Sequence, residues 1–363
     1  MKKFLVETYY TCTFKTVHTL DELNDKELSK IDQRKDGEVE VIEVKLNNRK
    51  TKKLGDKKSA SEKKLTEKGY VLEKHLFERW ICDEAASEGA AIHLGHKLNS
   101  MEKIYKEGKF SGWRCDGKGD NFPIEAKIVI DASGVAGICS RLLSLNPRPK
   151  VIAGMQYEML EVPTDDYLDF YIWPKYAEKG YVWMIPKCDG RANVGLVTED
   201  KSRTKKGLDE FIANTHFKDL EQVAPPWKIK GNPAFGGTIP ISGPHENTYA
   251  DGLMLVGDAA GFTSPLFEGG SHLALWSGRE AASVVAKAIS NGDLSKQALM
   301  PYEAAWKKRF PPYHKILKGK TALYELTDEE MSVMAQCLPD ELSNMSPLTV
   351  MSNTLGCNPL VIV

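Results

Sequence analysis

The chain has 363 residues, enough for one large or two moderate domains with a real core. Its 49 basic residues against 50 acidic ones leave a net charge of −1, so no global field directs it to nucleic acid. The seven cysteines are scattered, with no CxxC and no metal-ligand spacing, and read as reduced thiols of a cytoplasmic protein. No apolar run has the length of a signal peptide or a membrane span, so membrane contact would be peripheral.

In chain order, FLVETYYTCTFKT (4–16) and the alternating EVEVIEVKL (38–46) predict strands. Residues 49–68 are basic without interleaved aromatics and read as a solvated loop or hairpin insertion rather than a lipid- or phosphate-binding surface. Leu76, Phe77, Trp80, Ile81 and Ala85 share one helical face that Gly89 ends, and AAIHLGHKL (90–98) predicts a strand. Residues 101–127 predict paired strands turning at DGKGDN. KIVIDASG (127–134) is a buried strand ending in Asp131 and small residues, with Ser140 and Arg141 opening a helix.

Residues 151–200 change character. VIAGMQYEML, YLDFYIWP, GYVWMIP and ANVGLVTE predict an antiparallel sheet with one face an apolar, aromatic wall. GLDEFIANTHF predicts a helix, and AFGGTIPISGP (234–244) carries the chain back to the first domain. Helices are expected over 296–335, broken at Pro311-Pro312; the apolar end at 359–363 is open between packing on the sheet domain and touching lipid.

The most informative stretch is GLMLVGDAAGFTSPLFEGGSHLALWSGREAASVVAKAI (252–289). It reads as a buried strand, an acidic turn at Gly257-Asp258, small residues, a Pro- and Gly-containing loop, and a long helix. An Asp ending a strand accepts hydrogen bonds from sugar hydroxyls, and small residues let a ligand touch backbone. A helix start offers unpaired N–H groups and partial positive charge to a diphosphate or an electron-rich ring.

This string closely resembles the second FAD motif of the para-hydroxybenzoate-hydroxylase-like flavoproteins, and within them the geranylgeranyl reductase family. The order of motifs over about residues 69–335 agrees, and Tyr181-Val-Trp183-Met-Ile185-Pro186 is similar to that family's aromatic substrate motif, with Ile185 where relatives have Phe. The resemblance implies a glutathione-reductase-like α/β FAD-binding Rossmann domain, N-terminally incomplete, from residues 1–150 and 234–295. It further implies an inserted antiparallel-sheet substrate domain at 151–233 and a C-terminal helical region at 296–363. Asp258, Gly257, Ala259, Pro265, Glu268, Gly269 and Gly270 would line the FAD, joined by Asp131, Gly134 and Lys74, the last standing where relatives have Arg. Tyr181, Trp183, Ile185, Pro186 and Phe170 would line the substrate slot, with Tyr181 or a bound water as guesses for the proton donor. The implied activity is reduction of carbon–carbon double bonds in geranylgeranyl chains of archaeal-type lipids, with electrons from ferredoxin or NAD(P)H.

Two other functions stay open: a flavin-dependent monooxygenase or halogenase on the same scaffold, and a truncated, flavin-free binding module. The second is suggested by an absence. Relatives open with strand–GxGxxG–helix, whereas the only GxG here is Gly117-Lys118-Gly119, followed by Phe122 where the third glycine belongs. Either an upstream βαβ unit is missing from this sequence or that half has been lost.

Overall fold

A computed structural model describes residues 10–17, 38–46, 48–52, 62–68, 71–164, 167–225 and 233–337. Strands β1 (Tyr10–Val17) and β2 (Glu38–Leu46) pair antiparallel, and β2 occupies the alternating run expected of it. β3 (Asn48–Lys52) and β4 (Glu62–Lys68) form a hairpin, the favoured reading of the basic stretch. The segment is more than a surface excursion, because β3 also pairs parallel with a strand of the main sheet.

Helix α1 (Lys74–Ser87) follows, and the chain from 90 to 96 is irregular rather than the expected strand. β5 (Lys97–Lys106), β6 (Lys109–Lys118) and β7 (Ile124–Ala126) make a three-stranded antiparallel sheet. Its first turn falls at Glu107-Gly108, both with positive φ; its second, between β6 and β7, lies at 119–123 and takes in the end of DGKGDN, the turn expected there. A two-residue turn with both φ positive matches the twist of the strands it joins.

β8 (Val129–Asp131) leads through a 3-10 turn (Gly134–Ala136) into the short α2 (Ile138–Leu142). The chain then builds an eight-stranded mixed sheet from β9 (Val151–Met159), β10 (Asp169–Tyr171), β11 (Tyr181–Pro186), β12 (Ala192–Thr198), β13 (Gln222–Val223) and β14 (Phe235–Pro240), joined by β3 and β4. β9, β10, β11 and β12 are the four strands expected from 151–200. α3 (Thr204–Ala213) covers one face. Val182, Met184, Val194 and Leu196 of that face pack with Leu208, Phe211 and Ile212 of α3 in one apolar core. β14 pairs residue by residue with β9, from Phe235 opposite Gln156 to Pro240 opposite Val151. The chain therefore leaves this sheet after Pro240, not at 234, because the extended Gly-Gly-Thr-Ile run satisfies its backbone on β9.

β15 (Tyr249–Ala250) and β16 (Leu253–Leu255) return it to β8, with which β16 pairs in parallel, Leu255 opposite Asp131. α4 (Ser271–Asn291) buries Leu273, Ser277, Ala281, Val284 and Ala288, spaced three or four apart as a core-facing stripe requires. Gly292, at φ 68, ends it with its N–H on Ala288 and Ile289 carbonyls. α5 (Lys296–Leu299), α6 (Pro301–Arg309), α7 (Tyr313–Glu325) and α8 (Asp328–Cys337) complete the described chain. The Tyr302 hydroxyl donates to the Leu255 carbonyl at 2.7 Å, fixing α6 to the parallel strands. No helix among the described residues is long and apolar enough to cross a membrane.

Candidate cofactor loop and aromatic wall

The loop between β16 and α4 starts with a 3-10 turn, Gly257–Ala260, that packs against the 134–136 turn after β8. Gly257 sits at φ 54 with its N–H on the Ser277 hydroxyl of α4 at 3.0 Å, and a Cβ there would stand 3.1 Å from that of Ala274. The turn is thus seated on the helix it precedes. Gly261 is at φ 76, and a Cβ there would lie 2.2 Å from the Gly243 carbonyl oxygen, so only glycine fits. Ala259 faces inward and is buried; Pro265 is buried as well.

Asp258 is half-buried. Its Oδ1 accepts from Thr263 Oγ1 at 3.2 Å, and its Oδ2 has no partner among the described residues. The amides of Gly269 and Gly270 also make no hydrogen bond among the described residues, while Gly270's carbonyl accepts from Ala274 N at 2.8 Å to start α4. α4 has no side-chain cap at its start. A Cβ on Gly269 or on Gly134 would meet nothing within 4 Å. An unpartnered carboxylate oxygen, free amides at an uncapped helix start and open space beside two glycines form a donor and acceptor set that fits the ribityl, diphosphate and ring portions of a flavin nucleotide. For the adenosine end the sequence has no GxGxxG.

Two expected cofactor neighbours have other duties here. Asp131 is buried with both oxygens engaged, Oδ1 accepting from Ser133 N at 2.9 Å and Oδ2 from Cys139 N at 2.8 Å. It shapes the turn that carries Gly134, and each of its oxygens already has a backbone donor. Lys74 is 72% exposed on α1 and pairs with Glu78 one turn on at 3.4 Å, so it takes no part in the loop's hydrogen bonding.

The expected wall lies on the face of β10–β11 opposite α3. Phe170 stands across from Trp183 in the register, and Trp183 across from Gly195. A Cβ on Gly195 would lie 2.2 Å from Trp183 Cζ2, so the indole lies over bare backbone. Its Nε1 donates to Gln156 Oε1 at 3.1 Å. Tyr181, Trp183 and Ile185 share this face; Pro186 does not. Strand alternation turns Pro186 with Val182 and Met184 toward the α3 side.

Residues that sequence reasoning passed over join loop to wall. Phe267 stacks on Phe170 with ring centroids 4.8 Å apart and lies edge-on to Tyr181 at 5.5 Å. The Tyr181 hydroxyl donates to the Phe267 carbonyl at 2.7 Å. Burial, and then the Glu268 carboxylate, push the Tyr181 phenol well above its usual range. Glu268 is itself buried and pairs closely with Lys320 of α7. Burial pushes its carboxyl up against the pull of that ammonium. Phe267 adjoins the glycines in sequence and was open to notice; Lys320, 52 positions away, carried no local signal.

A parallel pair joined to helices, a large sheet lying over its loop, and an anion-ready helix start together define an oxidoreductase scaffold of the flavoprotein type. A model of the geranylgeranyl reductase catalytic domain matches residues 151–225. The digeranylgeranylglycerophospholipid reductase of Methanocaldococcus jannaschii is 35% identical over 284 residues, covering 76% of this chain and 70% of that protein. A crystal structure of a geranylgeranyl bacteriochlorophyll reductase-like protein from Thermoplasma acidophilum superposes with a TM-score of 0.72 at 29% identity, over 87% of this chain and 81% of that one. The chain belongs to the digeranylgeranylglycerophospholipid reductase family. A flavin-dependent halogenase at 20% identity (TM-score 0.53, 85% of this chain and 64% of that one) shares the fold alone.

Proposed function

We propose that this chain is an FAD-dependent reductase that saturates carbon–carbon double bonds of geranylgeranyl chains on archaeal-type glycerophospholipids. The observation that carries the reading is the direct meeting of cofactor loop and aromatic wall at Phe267, which stacks on Phe170 and binds Tyr181 through its carbonyl. The family relationship supports it independently.

When bound, FAD supplies hydride transfer to an alkene carbon. The protein's part is positional. Asp258 Oδ2 would hold a ribityl hydroxyl, and the free amides of Gly269 and Gly270 with the start of α4 would face the negative charge of the diphosphate or reduced ring. Phe170, Trp183 and Phe267 would lay the prenyl chain flat and exclude water from the reacting bond. Tyr181, its proton engaged by the Phe267 carbonyl, would brace the loop against the wall. Residues 1–150 with the return after 240 would bear the cofactor, the 151–240 sheet the lipid, and the helices beyond 295 would close the back.

The reading extends to a cytoplasmic enzyme working at a membrane surface, where its lipid resides, and drawing electrons from ferredoxin or NAD(P)H. The test is to purify the protein, titrate it with FAD while recording the visible spectrum, and weigh the ether lipids of a host that makes geranylgeranyl chains with and without it. Stepwise mass gains of two hydrogens per bond support the reading. A flavin-bound protein that leaves those lipids unchanged, or one that takes up no flavin, overturns it.

A further inference from the structure

Glu268 is costly in three ways. Its side chain is 2% exposed, and the one cation paired with it among the described residues is Lys320, itself 7% exposed. Its second oxygen, Oε2, is buried with no hydrogen-bond partner among the described residues. Its backbone is left-handed at φ 50, a conformation that side-chain-bearing residues resist. Burying an ion pair and holding such a backbone both work against stability, and they persist where the surroundings impose them.

What the arrangement accomplishes is geometric. With its carboxylate drawn toward α7, Glu268 reverses the chain, so that the next residue, Gly269, is exposed and open while Gly270 begins α4. The loop's other holds are the Phe267 ring against Phe170 and Tyr181 and two hydrogen bonds. Ser264 N donates to the Gly269 carbonyl at 2.9 Å, and Tyr181 holds the Phe267 carbonyl. The groups bearing on Glu268 are Lys320 and Tyr324 of α7, Tyr181 of β11, and Glu199 just past β12. Lys320 is the one cation among them.

We propose that Lys320 is a positioning residue of the cofactor loop: through Glu268 it holds the reversed turn that presents the Gly269 and Gly270 amides to the flavin, a role that rests on the reading above. Helix α7, outside the region matched by the catalytic-domain model, thereby becomes part of the cofactor site. Without the ammonium, Glu268 either neutralises or swings out to water, and the turn follows it. Glu268→Gly removes the carboxylate and the left-handed strain together, so the loop in that background no longer depends on residue 320.

Hydrogen exchange of the flavin-free full chain reads this directly. Lys320→Met is expected to speed exchange by about tenfold or more at the Ser264 and Ala274 amides, which donate to the Gly269 and Gly270 carbonyls, while β9–β12 stay protected. Lys320→Arg is expected to restore protection, and adding Lys320→Met to Glu268→Gly to change little. FAD titration of the same proteins should then show weaker binding for Lys320→Met and recovery for Lys320→Arg. Unchanged loop exchange in Lys320→Met overturns the proposal. So does faster exchange spread evenly over the chain with Lys320→Arg no better, which is a plain stability effect. Should Lys320→Met not fold, Lys320→Arg against the two Glu268→Gly backgrounds carries the same comparison. A wild-type chain that takes up no FAD, yet whose loop responds to residue 320, refutes the flavin reading and leaves the latch standing. A chain that binds FAD with an unresponsive loop does the reverse.

Discussion

The rings of Phe267 and Phe170 stack 4.8 Å apart with their planes 27° from parallel, and by that contact the loop before α4 touches the eight-stranded sheet. The two residues are 97 positions apart and come from different sheets' neighbourhoods. Tyr181, edge-on to both rings, adds a hydrogen bond to the same junction. A ligand lying on the wall beside Phe170 and reaching the loop at Phe267 would lie against this junction.

Trp183→Ala should therefore impair alkene reduction more than flavin binding. The indole covers Gly195 and has no bond to the loop, so its loss misplaces the lipid and not the cofactor. A fall of about 10- to 100-fold in turnover is expected, the usual scale of a mispositioned substrate. Turnover of a geranylgeranyl lipid set against a flavin titration separates the two effects; equal losses in both would place Trp183 in the cofactor's support.

Asp258→Ala should lower flavin occupancy. One charge-assisted hydrogen bond is worth about 1.5–3 kcal/mol, or roughly a tenfold to hundredfold change in affinity. The ratio of visible to protein absorbance after purification reads it, and a fully yellow variant removes Asp258 from the site.

Two glycines with similar φ should respond differently to alanine. Gly261, at φ 76, has a carbonyl oxygen 2.2 Å from where its Cβ would go, whereas Gly134, at φ 66, has open space. Gly134→Ala should cost about 1 kcal/mol of backbone strain, and Gly261→Ala clearly more, about 2–4 kcal/mol, because backbone must move. Chemical denaturation of the two variants beside wild type ranks them.

The residue before α1 supplies a pH prediction. Glu73 meets Lys187 at 2.7 Å and Arg191 at 2.8 Å, and both cations also bind Glu158. Burial pushes Glu73 up, but the hydrogen bonds and charges of Lys187 and Arg191 outweigh it and hold the carboxyl below its ordinary 4.5. A carboxyl lowered on folding adds stability above its unfolded value and loses it as pH falls through the folded one. The stability gap between wild type and Glu73→Gln should thus be full near neutrality and close as pH drops below 4.5. A gap that is flat with pH, followed by denaturant unfolding, would remove Glu73 from the acid response.

Much of the fold was legible where local pattern and local structure coincide. The alternation of 38–46 is β2, the aromatic runs of 151–200 are strands of one sheet, and the 252–289 string is strand, turn and helix in that order. It failed where hydrogen-bonding partners are distant. Residues 90–96 carry strand composition but pair with no strand among the described residues, and 235–240 found its partner in β9 instead of returning at once to β8.

The amino-acid order alone therefore determined the chemistry on offer: an Asp closing a strand, glycines at a helix start, and the aromatic side chains of Tyr181 and Trp183 at alternate positions of β11. Those are properties of spacing, and spacing is written in the chain. The tertiary structure decided which groups are free to act. It tied both oxygens of Asp131 to backbone amides and left one of Asp258 open. It brought in Phe267 and set Lys320 against Glu268 across 52 residues. Availability depends on which partners packing brings within hydrogen-bond reach, and no local pattern encodes that.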